Sequence, residues 1–116
     1  MNGQCSTLEE FWPFYVSQHL NPANRRLHFV GTTLGLVLLA LAGALRAPAL
    51  LLAALAAGYG FAWIGHFFFE RNRPATFKYP LLSLRADFRL YATMWRGGME
   101  TEIARLKPEL SRLRAA

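Results

Sequence analysis

The chain has 116 residues, 53% hydrophobic and 17% charged, with a net charge of +6. Soluble domains carry about a quarter charged residues, and the deficit here is concentrated: between Arg26 and Arg71 the only formal charges are Arg46 and Glu70. The single cysteine, Cys5, excludes an intrachain disulfide and a cysteine metal cluster, and basic residues that flank apolar runs argue for an anionic membrane surface and against nucleic acid.

The opening stretch, MNGQCSTLEEFWPFY, has no basic region followed by an apolar core, so no cleavable signal peptide is expected. Residues 7–20 read as a short helix. Ser6 or Thr7 can cap it, and Glu9 and Glu10 in the first turn favour its dipole. Phe11, Phe14 and Tyr15 share one face, while Pro13 fits only if the helix starts late. The segment is expected to lie along the membrane surface.

Asn21 and Pro22 form an N-cap and first-turn pair, so a second helix starts there with Arg25, Arg26 and His28 on its first two turns. Residues 29–45 carry no charge and make roughly 26 Å of helix, which with Leu27 and His28 is enough for a span over 22–45. The RAP tripeptide at 46–48 breaks the pattern, and Pro48 can open the next helix. Residues 47–69 are again uncharged, giving a second span over 48–70. So short a connection makes an antiparallel hairpin. A soluble bundle of this length would struggle to bury two such runs. Gly31 and Gly35, with Ala53, Ala54, Ala57, Gly58 and Gly65 on the second span, are small residues that let spans approach.

Of the 13 Lys and Arg, Arg46 alone lies at the hairpin turn, and the rest lie before residue 27 or after residue 70. The positive-inside rule then places both termini in the cytoplasm, with Trp63, Phe67, Phe68 and Phe69 as an aromatic belt. Beyond Pro80, Leu81, Leu84, Phe88, Tyr91 and Trp95 recur at helical steps with Arg85, Arg89 and Arg96 between them, as in an amphipathic surface helix. Gly97 and Gly98 end it, and a more polar helix follows, so that amphipathic helices occupy 80–115. Asp87 reads as a salt-bridge partner for the nearby arginines. The expected fold is all-α, a single membrane domain over 1–116. Two spans make a thin enclosure, which leaves room for a homo-oligomer.

The chain has three histidines. His28 is where the first span leaves the interface, His66 is where the second returns, and His19 ends the surface helix just before His28. The topology therefore sets all three at one depth. Glu70, four residues after His66, shares its helix face and can ligate a metal or accept a ring N–H from a ligating histidine. Histidine suits iron, zinc or copper, and three protein ligands leave room for substrate. Other chemistries are excluded. Seven acids, mostly terminal, do not make a di-iron bundle. There is no phosphate loop or HExxH motif, and Ser17 is too near His19 in sequence for a triad.

The blocks FYVSQHLNPANRRLHFVGT and GYGFAWIGHFFFERNRPATFKYPL resemble the two motif blocks of the fungal endoplasmic-reticulum 2-hydroxy fatty acid dioxygenase family and its short bacterial homologues. The resemblance covers about residues 11 to 82. It implies an integral membrane, Fe(II)-dependent enzyme that uses O2 to shorten a 2-hydroxy fatty acid, or a related lipid, by one carbon in α-oxidation. By motif match, the implied iron ligands are His19, His28 and His66, with Glu70 in support. Arg25, Arg73 or Lys78 could hold the substrate carboxylate. Two other readings use the same residues: a non-enzymatic membrane hairpin acting as a scaffold or lipid binder, and a zinc-dependent lipid hydrolase.

Overall fold

The computed structural model describes residues 5–115. Its regular structure is helical throughout these residues. The elements are α1 (Leu8–Ser17), α2 (Pro22–Ala44), α3 (Ala49–Ile64) with a π-helical continuation over Gly65–Glu70, a 3₁₀ turn over Ala75–Phe77, α4 (Pro80–Trp95) and α5 (Met99–Ala115). Contacts gather the chain into two compact units. A terminal unit takes residues up to 20 and from 73 onward, and a central unit takes Asn21–Asn72.

The central unit is α2, α3 and the π-turn. Asn21 opens α2, its side chain accepting from Ala23 N at 2.8 Å, with Pro22 in the first turn. A Cβ placed on Gly31 would lie 2.8 Å from Phe61 Cβ and 3.0 Å from Ala57 O, and one on Gly35 would lie 3.2 Å from Ala54 O. As the number rises on α2 it falls on α3, so the helices run antiparallel in backbone contact at their small residues, as the sequence suggests. The turn between them closes with Arg46 in the left-handed region, φ 50°, where Ala47 N reaches Ala42 O at 2.9 Å. Pro22–Ala44 and Ala49–Glu70 are each long and apolar enough to cross a membrane. Val37, Leu39, Leu52 and Leu55 are exposed, whereas Asn24, Arg25, His28 and His66 are buried.

The terminal unit has the opposite polarity. Thr7 caps α1, accepting from Glu10 N at 3.2 Å while its hydroxyl donates to Glu10 Oε1 at 3.2 Å. Pro13 lies inside α1, not ahead of it. Phe11, Trp12, Tyr15 and Val16 are buried in one core with Ala86 and Leu90 of α4 and Met99, Leu106 and Leu110 of α5. The expectation that α1 lies on a membrane surface is therefore corrected: its apolar face is covered by protein, because α4 and α5 fold back over it. Each such side chain contributes about 1.5–3 kcal/mol when fully buried. Over the Trp12 ring, at 4.4 Å, sits the Arg89 guanidinium. Arg89 pairs with Glu9 at 3.1 Å and Glu102 at 3.6 Å, and Trp12 Nε1 donates to Glu102 at 2.8 Å.

Helix α4 carries two distinct faces. Ser83, Ala86, Leu90 and Thr93 are buried, while the larger Leu81, Leu84, Phe88 and Trp95 are exposed, Leu81 at 76% and Trp95 at 67%. Apart from Leu90, small residues thus serve the protein core and bulky ones face outward. Gly97, at φ 68°, ends the helix with Gly98 N bonded to Thr93 O at 2.9 Å, a stop that needs a residue free to adopt a positive φ.

Candidate metal centre

Two of the three histidines meet inside the central unit. His28 of α2 and His66 of the π-turn are buried, with ring centroids 5.0 Å apart and planes at 86°. His28 Nδ1 donates to Asn24 O at 3.0 Å, one turn back along α2. His66 Nδ1 donates to Asn72 Oδ1 at 2.7 Å, and Asn72 N returns to His66 O at 3.0 Å. That return depends on Arg71, which takes φ 59° and folds the chain back beneath the π-turn. Asn72 is a site residue that sequence reasoning missed. The one available signal was an asparagine in a short RNRP segment after a span, and nothing in it pointed back to His66.

Glu70 is engaged with the start of α2. Its Oε1 accepts from Asn21 N and, at 3.4 Å, from Asn24 Nδ2. The turn from His66 to Glu70 is π-helical. Glu70 ties the end of the second apolar helix to the start of the first. Gly65 completes this clamp: a Cβ there would overlap Asn24 Oδ1.

His19 belongs to the terminal unit, just past the end of α1. It is buried, its Nδ1 donates to Tyr15 O at 2.6 Å, and its ring stacks on that of Tyr15 with centroids 3.9 Å apart and planes at 19°. The Tyr15 hydroxyl donates to Asp87 Oδ1 of α4 at 2.5 Å. Asp87 makes no ion pair among the described residues, which corrects its reading as a partner for arginines. Burial pushes its carboxyl up to about 7, against the bond from Tyr15 that lowers it. Burial, and then the Asp87 charge, hold the Tyr15 phenol well above its ordinary value. Of the three cations suggested for a substrate carboxylate, Arg25 is buried on α2, whereas Arg73 and Lys78 are exposed in the terminal unit.

The three histidines share one hydrogen-bonding pattern at Nδ1. Each Nδ1 faces an oxygen that only accepts: a backbone carbonyl for His19 and His28, an amide oxygen for His66. A neutral imidazole protonated on Nδ1 carries its lone pair on Nε2, and outer partners of this kind orient metal-ligating histidines. Imidazole nitrogen suits iron, zinc and copper. Asn24 Oδ1 is buried without a hydrogen-bond partner among the described residues. Such an acceptor costs about 1–3 kcal/mol unless a donor reaches it, and a bound water or hydroxyl would supply one. The residues present therefore fit a metal.

Buried imidazoles in an all-helical chain with two membrane-length apolar helices describe a class, a candidate membrane metalloprotein. The comparison with known families narrows it. Residues 5–99 match the family described as 2-hydroxy-palmitic acid dioxygenase Mpo1-like, and the chain belongs to that family. No curated protein and no solved structure matches it. The family match extends past the quoted motif blocks at both ends and takes in α4, so Tyr15 and Asp87 fall within it alongside the three histidines.

Proposed function

We propose that this protein is an Fe(II)-dependent dioxygenase of the membrane that shortens 2-hydroxy fatty acids by one carbon, with His19, His28 and His66 as iron ligands. The observation that carries this reading is the buried pair of His28 and His66, each pinned through Nδ1, inside helices whose leucines face outward. Ionisable groups within an apolar span rarely persist without a functional partner. Family membership supplies the substrate class. His19 joins the set because only Leu20 separates it from the start of the central unit, and because its Nδ1 is held as those of the other two are.

Iron, when bound, supplies the capacity to activate O2. The chain's own residues do the rest. Asn24 and Asn72 orient the imidazoles, and Glu70 holds Asn24. Arg25, buried three residues before His28, is the cation we assign to the substrate carboxylate. The apolar helices α2 and α3 cross the membrane as a hairpin with both termini on the cytoplasmic side, as the placement of the basic residues favours. The outer face of α4, with Leu81, Leu84, Phe88 and Trp95 beside Arg85 and Arg96, rests on the lipid surface. The substrate head group then meets the histidines at the interface while its chain stays in the bilayer.

The test is oxygen uptake by anaerobically purified, iron-loaded protein on addition of a 2-hydroxy fatty acid. We expect uptake together with a product one carbon shorter, and neither with the parent fatty acid. No uptake across a series of chain lengths would sink the assignment, and activity that follows zinc instead of iron would favour a hydrolase.

A further inference from the structure

The terminal unit contains a three-residue chain of contacts that no catalytic step above uses. Tyr15 holds His19 twice, by its carbonyl at 2.6 Å and by its ring at 3.9 Å. Asp87 holds Tyr15, by the hydroxyl at 2.5 Å. Tyr15 is fully buried, so its phenol needs an acceptor, and Asp87 is the acceptor the fold provides. Arg85 and Arg89 flank Asp87 at two residues on either side, a spacing that turns them to other faces of α4; Arg89 goes instead to Glu9 and Glu102. Asp87 is thus reserved for Tyr15.

We propose that Asp87 and Tyr15 are positioning residues for His19, a strut from α4 through the Tyr15 ring that fixes the orientation of this imidazole as a metal ligand. The inference rests on the reading of His19 as a ligand. Its physical content is geometric. His19 lies beyond the last turn of α1, where the backbone alone sets ring direction poorly. A parallel ring at 3.9 Å and a carbonyl on Nδ1 leave the imidazole one plane and one tautomer. The Tyr15 ring can hold that plane only if its own far end is fixed, and Asp87 fixes it. The C-terminal half of the chain is in this way tied to a ligand in the N-terminal half.

The experiment uses the full chain in detergent with Co(II) as the probe. It reads affinity by chelator competition and ligand geometry by the visible absorption of the bound ion. We expect Tyr15→Phe, which keeps the ring and the carbonyl, and Asp87→Leu each to weaken Co(II) binding by about tenfold, as loss of an outer partner does, and to shift the absorption bands. Asp87→Asn, which keeps an acceptor, should restore most of the affinity. The double variant Tyr15→Phe/Asp87→Leu should be no worse than either single one, because both act through one contact. In a His19→Ala background Tyr15→Phe should change nothing further. Wild-type affinity and spectrum in Tyr15→Phe, or an equal loss with and without His19, would overturn the inference and leave the metal assignment standing. Co(II) binding by the wild type that is unaffected by His19→Ala would overturn the assignment of His19, and the inference with it.

Discussion

The terminal unit buries Phe11, Trp12, Tyr15 and Leu90 and turns Glu9, Arg85 and Arg105 outward, while the central unit buries Asn24, Arg25, His28 and His66 and turns Leu39, Leu52 and Leu55 outward. Both are helical, and both draw on the same stock of leucine, alanine and aromatics. On the function proposed above, the difference is the medium each is built for. Aromatic burial is the arrangement of a core in water. Polar burial behind an apolar exterior is the arrangement of a helix pair in lipid, where small residues at 31 and 35 bring the backbones together and imidazoles can be kept dry.

The comparison breaks most visibly at its leucines. Leu90→Ala, at 1% exposure, should cost about 2–5 kcal/mol, whereas Leu55→Ala, at 57% exposure, should stay within about 0.5 kcal/mol in detergent. Denaturation midpoints of the two variants check this, and equal losses would mean that the units are not of different kinds. Next in size is Gly65→Ala. Its Cβ displaces Asn24, which carries the acceptor for His28, so we expect a loss of about 1–3 kcal/mol from overpacking together with lowered metal content. Gly60→Ala, where an added Cβ meets nothing within 4 Å, is the control.

Acidity separates two carboxyls of the terminal unit. Asp87 has a folded value of about 7 against an ordinary 3.8. The folded chain therefore keeps a proton that the unfolded chain has lost, and stability falls as pH rises from 3.8 to about 7. Allowing for its partial exposure, the effect is on the order of 2 kcal/mol, and Asp87→Asn should remove it from a midpoint-against-pH curve. Glu102 runs the other way. The Arg105 bond, more than any other cause, holds it down to about 2 from 4.5, so its contribution is present above 4.5 and lost as pH falls towards 2. A small gain is expected outside both cores: Arg46→Gly should stabilise the turn by about 1 kcal/mol, since it relieves a left-handed residue that has a side chain.

Much of this was legible in the sequence. Thr7, Asn21 with Pro22, and Gly97 announce helix ends through local chemistry, and unbroken apolar runs announce α2 and α3. The histidines were legible as a group because two lie where apolar runs meet charge. What stayed hidden depends on contacts between distant residues. Phe11, Phe14 and Tyr15 show a helical apolar face, but periodicity does not say whether lipid or protein covers it, and here α4 and α5 do. The stripe of Leu81, Leu84, Phe88 and Trp95 poses the same question and has the opposite answer, exposure. Asp87 next to arginines looked paired until its face of α4 was known. The left-handed Arg71 brought Asn72 to His66 while Glu70 went to Asn21 and Asn24, and neither arginine nor asparagine at those positions signals such a turn.

The central claim is that the buried histidines hold iron. It is tested most directly by iron content per chain in anaerobically purified protein, wild type beside His28→Ala and His66→Ala. The account predicts about one iron in the wild type and its loss in both variants, with each variant still helical. Full iron content in either variant, or none in a well-folded wild type, would contradict it.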